Sequence, residues 1–278
     1  ENKKMIPKIS VIIPLYNKEK IVERSVNSVL NQSFNDFELI IVDDGSTDKS
    51  FEIVNKIKDD RIKLIKQKNA GPSAARNRGV KESKTDWVLF LDSDDELLKD
   101  ALEHFILLIT KYKNADIYNC GSEVRSGTNK TIFTNSYYGY VKSALKDWFF
   151  GNLGPGTGHS VFSRKILEKY PYNEKIRRFE DAELLIRVLP KAKVYSCKKI
   201  VFTVNSDFSS ASGKRRDISE DYSGNLSMKG KTFWARMCVY RLFLENRELY
   251  PKEMHRLYPS WYWRFDLLFL FKVSKIFK

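Results

Sequence analysis

Residues 8–48 read KISVIIPLYNKEKIVERSVNSVLNQSFNDFELIIVDDGSTD. Positions 9–14 form a short apolar, β-branched run that ends at Pro14, where the missing N–H stops a ladder of hydrogen bonds. Positions 21–30 carry apolar residues at helical spacing, and positions 37–42 return to a strand pattern that ends in Asp43 and Asp44. A strand, a helix and a second strand in this order predict a parallel pair with a crossover helix on one face.

The alternation continues outward. Helical segments at 50–57, 73–80 and 97–112 alternate with strand segments at 62–65, 87–91 and 115–118. The expected fold class is α/β, a mostly parallel Rossmann-like sheet flanked by helices on both faces. Ligands of such open sheets bind outside the carboxyl ends of the strands, so the loops that follow the strands carry the chemistry. After Gly121 the pattern changes, and residues 122–140 are polar, aromatic and turn-rich, as an antiparallel excursion would be. Gly151, Gly154, Gly156 and Gly158 precede a strand and helix at 161–170. A helix follows at 181–188 and a strand near 193–203, whereas 206–225 reads as a mobile loop. From Phe233 the chain is aromatic and basic.

Length and composition narrow the function classes. The chain has 278 residues, 42% of them hydrophobic, enough to bury a large core. Lysine and arginine number 49 against 35 acids, a formal charge of +14, which points to an anionic partner: nucleic acid, membrane surface or phosphorylated substrate. The basic residues are dispersed and match no nucleic-acid motif, so nucleic acid is not expected. Cys120, Cys197 and Cys238 have no paired spacing, which favours a reducing compartment. Positions 1–10 hold no signal-peptide run, and no stretch of about 18 apolar residues predicts a membrane span. A cytoplasmic location is expected.

Each strand end carries a motif. Pro14-Leu15-Tyr16-Asn17 offers a tyrosine ring for stacking on a nucleobase. In Val42-Asp43-Asp44-Gly45-Ser46-Thr47-Asp48, Gly45 permits a sharp turn and the acids can accept hydrogen bonds from a base or ribose. Gly71-Pro72-Ser73-Ala74-Ala75-Arg76-Asn77-Arg78-Gly79 opens a helix, with Pro72 near its first position and Arg76 as the better candidate for phosphate. Leu91-Asp92-Ser93-Asp94-Asp95-Glu96 packs four carboxylates into five residues; helix capping explains one of them, and an oxygen-bound magnesium or manganese explains the group. Glu180 and Asp181 open a later helix, where the dipole alone could account for them. His159, beside the glycine cluster, is a candidate contact for acceptor or phosphate.

These signatures together resemble the family 2 glycosyltransferases of the glycosyltransferase-A fold, over residues 8–120 and more weakly to about residue 215. The resemblance implies that Tyr16 and Asp44 hold the base, with Pro14, Asn17, Asp43 and Ser93 in the nucleotide site. It implies that Arg76 lies near the donor phosphates and that Asp92 and Asp94 form an aspartate-x-aspartate metal site for manganese or magnesium. Asp181 is then the general base of an inverting transfer, with Glu180 as its rival; neighbours on a helix point about 100° apart, so only one is expected to face the acceptor. The implied partners are a nucleotide-sugar donor, with uridine diphosphate as carrier, and a glycan or lipid-linked saccharide acceptor. No Gln-x-x-Arg-Trp sequence follows residue 181, which favours single addition over polymerisation.

The organisation expected is a nucleotide-sugar half at 1–120, an acceptor half of the same domain at 121–215, and a helical extension at 216–278. In that extension Trp261, Tyr262, Trp263, Phe265, Phe269 and Phe271 are mixed with Arg256, Arg264, Lys272, Lys275 and Lys278. Two readings stand side by side: an anionic membrane surface as peripheral partner, or packing against the catalytic domain or a dimer partner. Two other functions compete with catalysis. A non-catalytic nucleotide or glycan module would not need intact acids at Asp92, Asp94 and Asp181. A dinucleotide oxidoreductase would need G-x-G-x-x-G where Pro14 to Asn17 stands.

Overall fold

The computed structural model describes residues 8–156, 158–208 and 217–263. Its first half runs β1 (Ile9–Leu15), α1 (Val22–Leu30), β2 (Phe37–Asp43), α2 (Ser50–Lys56), β3 (Ile62–Lys66), α3 (Pro72–Glu82) and β4 (Trp87–Phe90). There follow β5 (Glu96–Leu97), α4 (Ala101–Lys111), β6 (Ile117–Ser126), β7 (Asn129–Phe133), β8 (Gly139–Tyr140) and α5 (Ala144–Phe150). The remainder comprises β9 (Ser160–Ser163), α6 (Arg164–Lys169), α7 (Glu180–Val188), β10 (Val194–Asn205), α8 (Phe233–Asn246) and α9 (Pro251–Leu257).

Among the described residues the strands form one sheet in the order β3-β2-β1-β4-β9-β6-β10-β5, with β7 beside β6 and β8 beside β10. The β3-β2-β1-β4 half is parallel, β9 runs antiparallel to both neighbours, and β6 and β10 are parallel. Alternation along β1 divides the core. Val11 and Ile13 join α1, α2 and α4 on one face, while Ile12 joins α3, α5, α7 and α8 on the other. On the second face α3 lies unusually close: a Cβ on Gly79 would stand 2.3 Å from Ile12 Cγ2. α1 presents Val22, Val26 and Val29 at helical spacing to the first face.

Three segments differ from the sequence expectation. Leu97 does not start a helix; with Glu96 it pairs with Thr203 and Phe202 of β10, because the Leu98 N–H is also taken by Val201, and α4 begins at Ala101. The strand expected at 115–118 extends to Ser126, since β6 is flanked by β9 and β10 and then folds into a hairpin with β7. Within the expected loop at 206–225, residues 217–225 are compact turns closed by side-chain caps from Asp217 and Asp221, and Asp221 is fully buried; residues 209–216 lie outside the described residues.

The boundary expected at 120/121 falls inside β6, so the two halves share a strand. α8 begins with a Thr232 cap and packs its Met237, Tyr240 and Phe243 into the main core, together with Tyr250 and Met254. Trp261, read as a candidate membrane residue, packs on Phe243 and Tyr258, with ring centroids 5.5 and 4.8 Å away, and its carbonyl accepts the Tyr240 hydroxyl. The rest of that expectation, from Arg264 onward, lies outside the described residues, as do the side chains of Tyr262 and Trp263. Among the described residues no helix is long and apolar enough to cross a membrane.

Candidate active site

β1 has β2 on one side and β4 on the other, so the strand order reverses there, and a crevice forms where their carboxyl ends diverge. The register sets Leu15 beside Asp43 and Ile12 beside Phe90, which brings the loops after β1, β2 and β4 to one edge. A cleft of about 810 Å³ opens at this edge, closed on its far side by the start of α7.

The β2 loop shows how the sequence builds the wall. Gly45 has φ 76°, and a Cβ there would lie 2.9 Å from the Asn69 backbone nitrogen, so the turn can press against the loop after β3. Asp44 is thereby tucked beneath that loop, accepting the Ala70 N–H (2.9 Å) and Gln67 Nε2 (2.8 Å) on one oxygen and the Gly71 N–H (2.8 Å) on the other. Pro14, Tyr16, Asp44 and Ser93 all line the cleft, and Tyr16 is 46% exposed. Asn17 and Asp43 do not. Asn17 ties the β1 loop to the β2 loop by accepting the Thr47 N–H at 2.8 Å, and the fully buried Asp43 accepts the Ser46 N–H at 3.4 Å.

Beyond β4, Asp92, Asp94 and Asp95 converge on the cleft. Asp92 accepts Arg76 Nη2 at 2.8 Å, and Asp94 accepts Lys18 Nζ at 2.5 Å. Asp95, whose carboxylate accepts the Asn205 N–H at 2.9 Å, is pushed up to about 8 by burial and then by the Asp92 charge. Burial first and Asp92 second also raise Asp94. Carboxylates held this close are under mutual repulsion that a hard, oxygen-binding divalent cation would relieve, so the residues present fit magnesium or manganese.

The opposite wall depends on one strained residue. Phe179 adopts φ 58° immediately before α7, a left-handed conformation that costs a bulky side chain on the order of 1–3 kcal/mol. Arg178 holds it: the guanidinium lies 4.4 Å from the Phe179 ring and donates to buried Asp221 at 2.7 Å, which also accepts the Tyr250 hydroxyl at 3.1 Å. The turn sends both Glu180 and Asp181 to the cleft. Glu180 accepts Arg76 Nη1 at 2.8 Å, and Asp181 accepts the Tyr172 hydroxyl at 2.9 Å. Burial pushes the Asp181 carboxyl up to about 6, against the pull of Arg76 and with help from Glu180 and Asp92.

Arg76 lies at the centre of this arrangement, almost wholly buried at 3% exposure. Against burial, which lowers it, Asp181 and Asp92 hold its guanidinium well above the ordinary value. It lines the cleft, and its terminal nitrogens are committed to Asp92 and Glu180. His159 also lines the cleft; its ring is buried, and burial lowers the imidazole to about 4, partly opposed by the nearby Gly154 carbonyl.

Sequence reasoning gave no role to Lys18, Tyr172 or Arg177. Lys18 stands two residues beyond Tyr16 and was detectable as a cation in a ligand-bearing loop. Arg177 lies across Gly71, where a Cβ would meet its Cγ at 3.2 Å, and donates to Asn69 at 3.2 Å. Tyr172 had no local signal, since its contact with Asp181 and its ring beneath Arg76, 5.2 Å away, arise only from packing.

Comparison with known proteins bears on this geometry. The family model for glycosyl transferase family 2 matches residues 10–171. An uncharacterised glycosyltransferase of Haemophilus influenzae is 50% identical over 101 residues, which cover 35% of this chain and 40% of that protein. The GalNAc(5)-diNAcBac-PP-undecaprenol β-1,3-glucosyltransferase of Campylobacter jejuni is 28% identical over 228 residues, 80% of this chain and 73% of that one. S. aureus TarS 1-349 solved with UDP is 25% identical with TM-score 0.60, covering 71% of this chain and 60% of TarS 1-349. The same protein solved with UDP-GlcNAc superimposes with TM-score 0.71 over 96% of this chain and 79% of its own, at 20% identity, which establishes a shared fold.

Proposed function

The chain belongs to glycosyl transferase family 2, and from that premise we propose that it transfers a sugar, with inversion, from a uridine diphosphate sugar to a hydroxyl of a glycan or lipid-linked saccharide. One observation carries the reading. Asp181, lifted to about 6, faces the β4 carboxylates across a single cleft at the switch point of the sheet, with Arg76 linking the two walls. The UDP complex of TarS supports the donor, and the name of the Campylobacter relative supports a lipid-linked acceptor.

In this mechanism Tyr16 stacks on the base and Asp44, with one acceptor position still open on Oδ2, accepts its N–H. The acceptor oxygen bonds to the anomeric carbon as the bond from that carbon to the diphosphate oxygen breaks. The hydroxyl proton passes to Asp181, and the diphosphate leaves with the electron pair. A base near neutrality suits this task, because it is ionised at working pH and still basic enough to take a proton. Tyr172 fixes the carboxylate, and Arg76 keeps Glu180 and Asp92 from repelling it further. Arg177, at the cleft wall and a third exposed, is placed to meet the diphosphate. Asp92 and Asp94 would hold the divalent cation, which when bound neutralises charge developing on the leaving diphosphate.

We retain the division into a nucleotide-sugar half at 1–120, an acceptor half at 121–215 and an extension at 216–278. The basic, aromatic residues after Trp263 are proposed to meet an anionic membrane surface, as a lipid-linked acceptor requires. Equal binding to anionic vesicles by the intact chain and a chain ending at Trp263 would remove that part. The main test is a panel of nucleotide sugars incubated with manganese, with and without candidate acceptors. Turnover that Asp181→Asn abolishes is expected; nucleotide binding without turnover of any donor would reduce the protein to a binding module.

A further inference from the structure

Away from the cleft, α4, β6 and β10 bring an imidazole and two thiols together. His104 Nε2 lies 3.1 Å from Cys197 Sγ, and the donor atoms of His104, Cys120 and Cys197 all lie within 4.8 Å of one another. We propose that these three side chains form a binding site for a zinc-class divalent cation, separate from the carboxylate centre. Zinc takes sulfur at about 2.3 Å and imidazole nitrogen at about 2.0–2.1 Å, so one ion reaches all three donors with small side-chain rotations. The carboxylate centre suits a hard ion, whereas this donor set suits a softer one.

The fold builds the cluster through an irregularity. β6 and β10 pair in register at Asn119 and Ser196, but the register shifts before Gly121 meets Ile200. The extra residues form a bulge that turns Cys197 toward Cys120, with the Lys199 N–H donating to its sulfur at 3.4 Å. Both cysteines are almost fully buried, and His104 is half-buried.

Such an ion would cross-link α4 to both strands. Eight residues further along β10, Asn205 gives its N–H to Asp95 and its side-chain amide to the Asp94 carbonyl at 3.0 Å. The cluster therefore anchors the strand that steadies the β4 carboxylate loop.

The test uses the whole chain, reduced with a phosphine, stripped with a chelator and titrated with Co²⁺ alone, reading sulfur-to-cobalt charge transfer in the near ultraviolet. One equivalent is expected to produce the band in wild type and in Asp92→Asn/Asp94→Asn, and Zn²⁺ should displace it. Cys197→Ser should lose the band. His104→Gln, which keeps both thiols and a half-buried position, should weaken Co²⁺ binding by at least about tenfold. No band in the reduced wild type overturns the proposal, as does an unchanged titration in both variants. So does a reduced chain that rejects metal but closes a Cys120–Cys197 disulfide on mild oxidation, which would make the cluster a redox pair.

Discussion

Arg76 on α3 donates Nη1 to Glu180 at the head of α7, 104 residues further along the chain, at 2.8 Å. With its other terminal nitrogen on Asp92, the same guanidinium ties the acceptor-side wall of the cleft to the loop after β4. Replacing Arg76 with Met removes the cation and leaves Glu180, largely covered, and Asp92, about a third exposed, without their partner. A loss of about 1–3 kcal/mol in unfolding free energy is expected, less than for a fully buried pair because solvent screens Asp92, read by urea denaturation. A loss under 1 kcal/mol would show that the linkage is not structural.

Asp181→Asn is expected to lower kcat by about 10²- to 10⁴-fold while leaving the affinity for uridine diphosphate nearly unchanged. Glu180→Gln should cost less, because Glu180 serves Arg76. Transfer kinetics on both variants decide between the two acids: activity that survives the first change and vanishes with the second would move the role to Glu180.

The pH profile carries a signed prediction. Asp181 must be ionised to accept a proton, so kcat/KM should fall as pH drops through about 6, where burial has lifted its carboxyl. The Tyr172 hydroxyl stabilises the ionised form and so lowers that value. Tyr172→Phe therefore shifts the acid limb to higher pH; a limb that stays in place or moves down would dissociate it from Asp181.

Binding of uridine diphosphate should depend on manganese through Asp94. Calorimetry of wild type and Asp94→Ala, each with and without the ion, is expected to show tight binding only for wild type with metal. Four equal affinities would remove the cation from the mechanism.

Gly79→Ala tests the packing of α3 on β1. Its Cβ would lie 2.3 Å from Ile12 Cγ2 on a rigid strand, so overpacking should cost about 1–3 kcal/mol, measured by thermal or chemical unfolding. An unchanged midpoint would mean that α3 shifts freely.

Much of the molecule was legible in residues 8–97, because strand and helix periods are local and the loops after parallel strands must gather at one edge. That reasoning places Tyr16, Asp44, Arg76, Asp92 and Asp94 at the edge where the cleft opens, since each stands at the end of its strand or in the first turns of the helix that follows. It failed where pairing overrode local pattern: Leu97 reads as helix but satisfies its backbone on β10, and Asp221 reads as loop but is buried against Arg178 and Tyr250. No spacing in the sequence relates Asp181 to Tyr172 or Arg76 to Glu180, nor His104 to Cys120 and Cys197. Those sets form only when distant segments pack, because burial and neighbouring charge are properties of the assembled interior. The sequence by itself determined which groups are available and on which edge of the sheet they lie; only the tertiary structure decided which of them touch, and hence which carboxylates are lifted above their ordinary range.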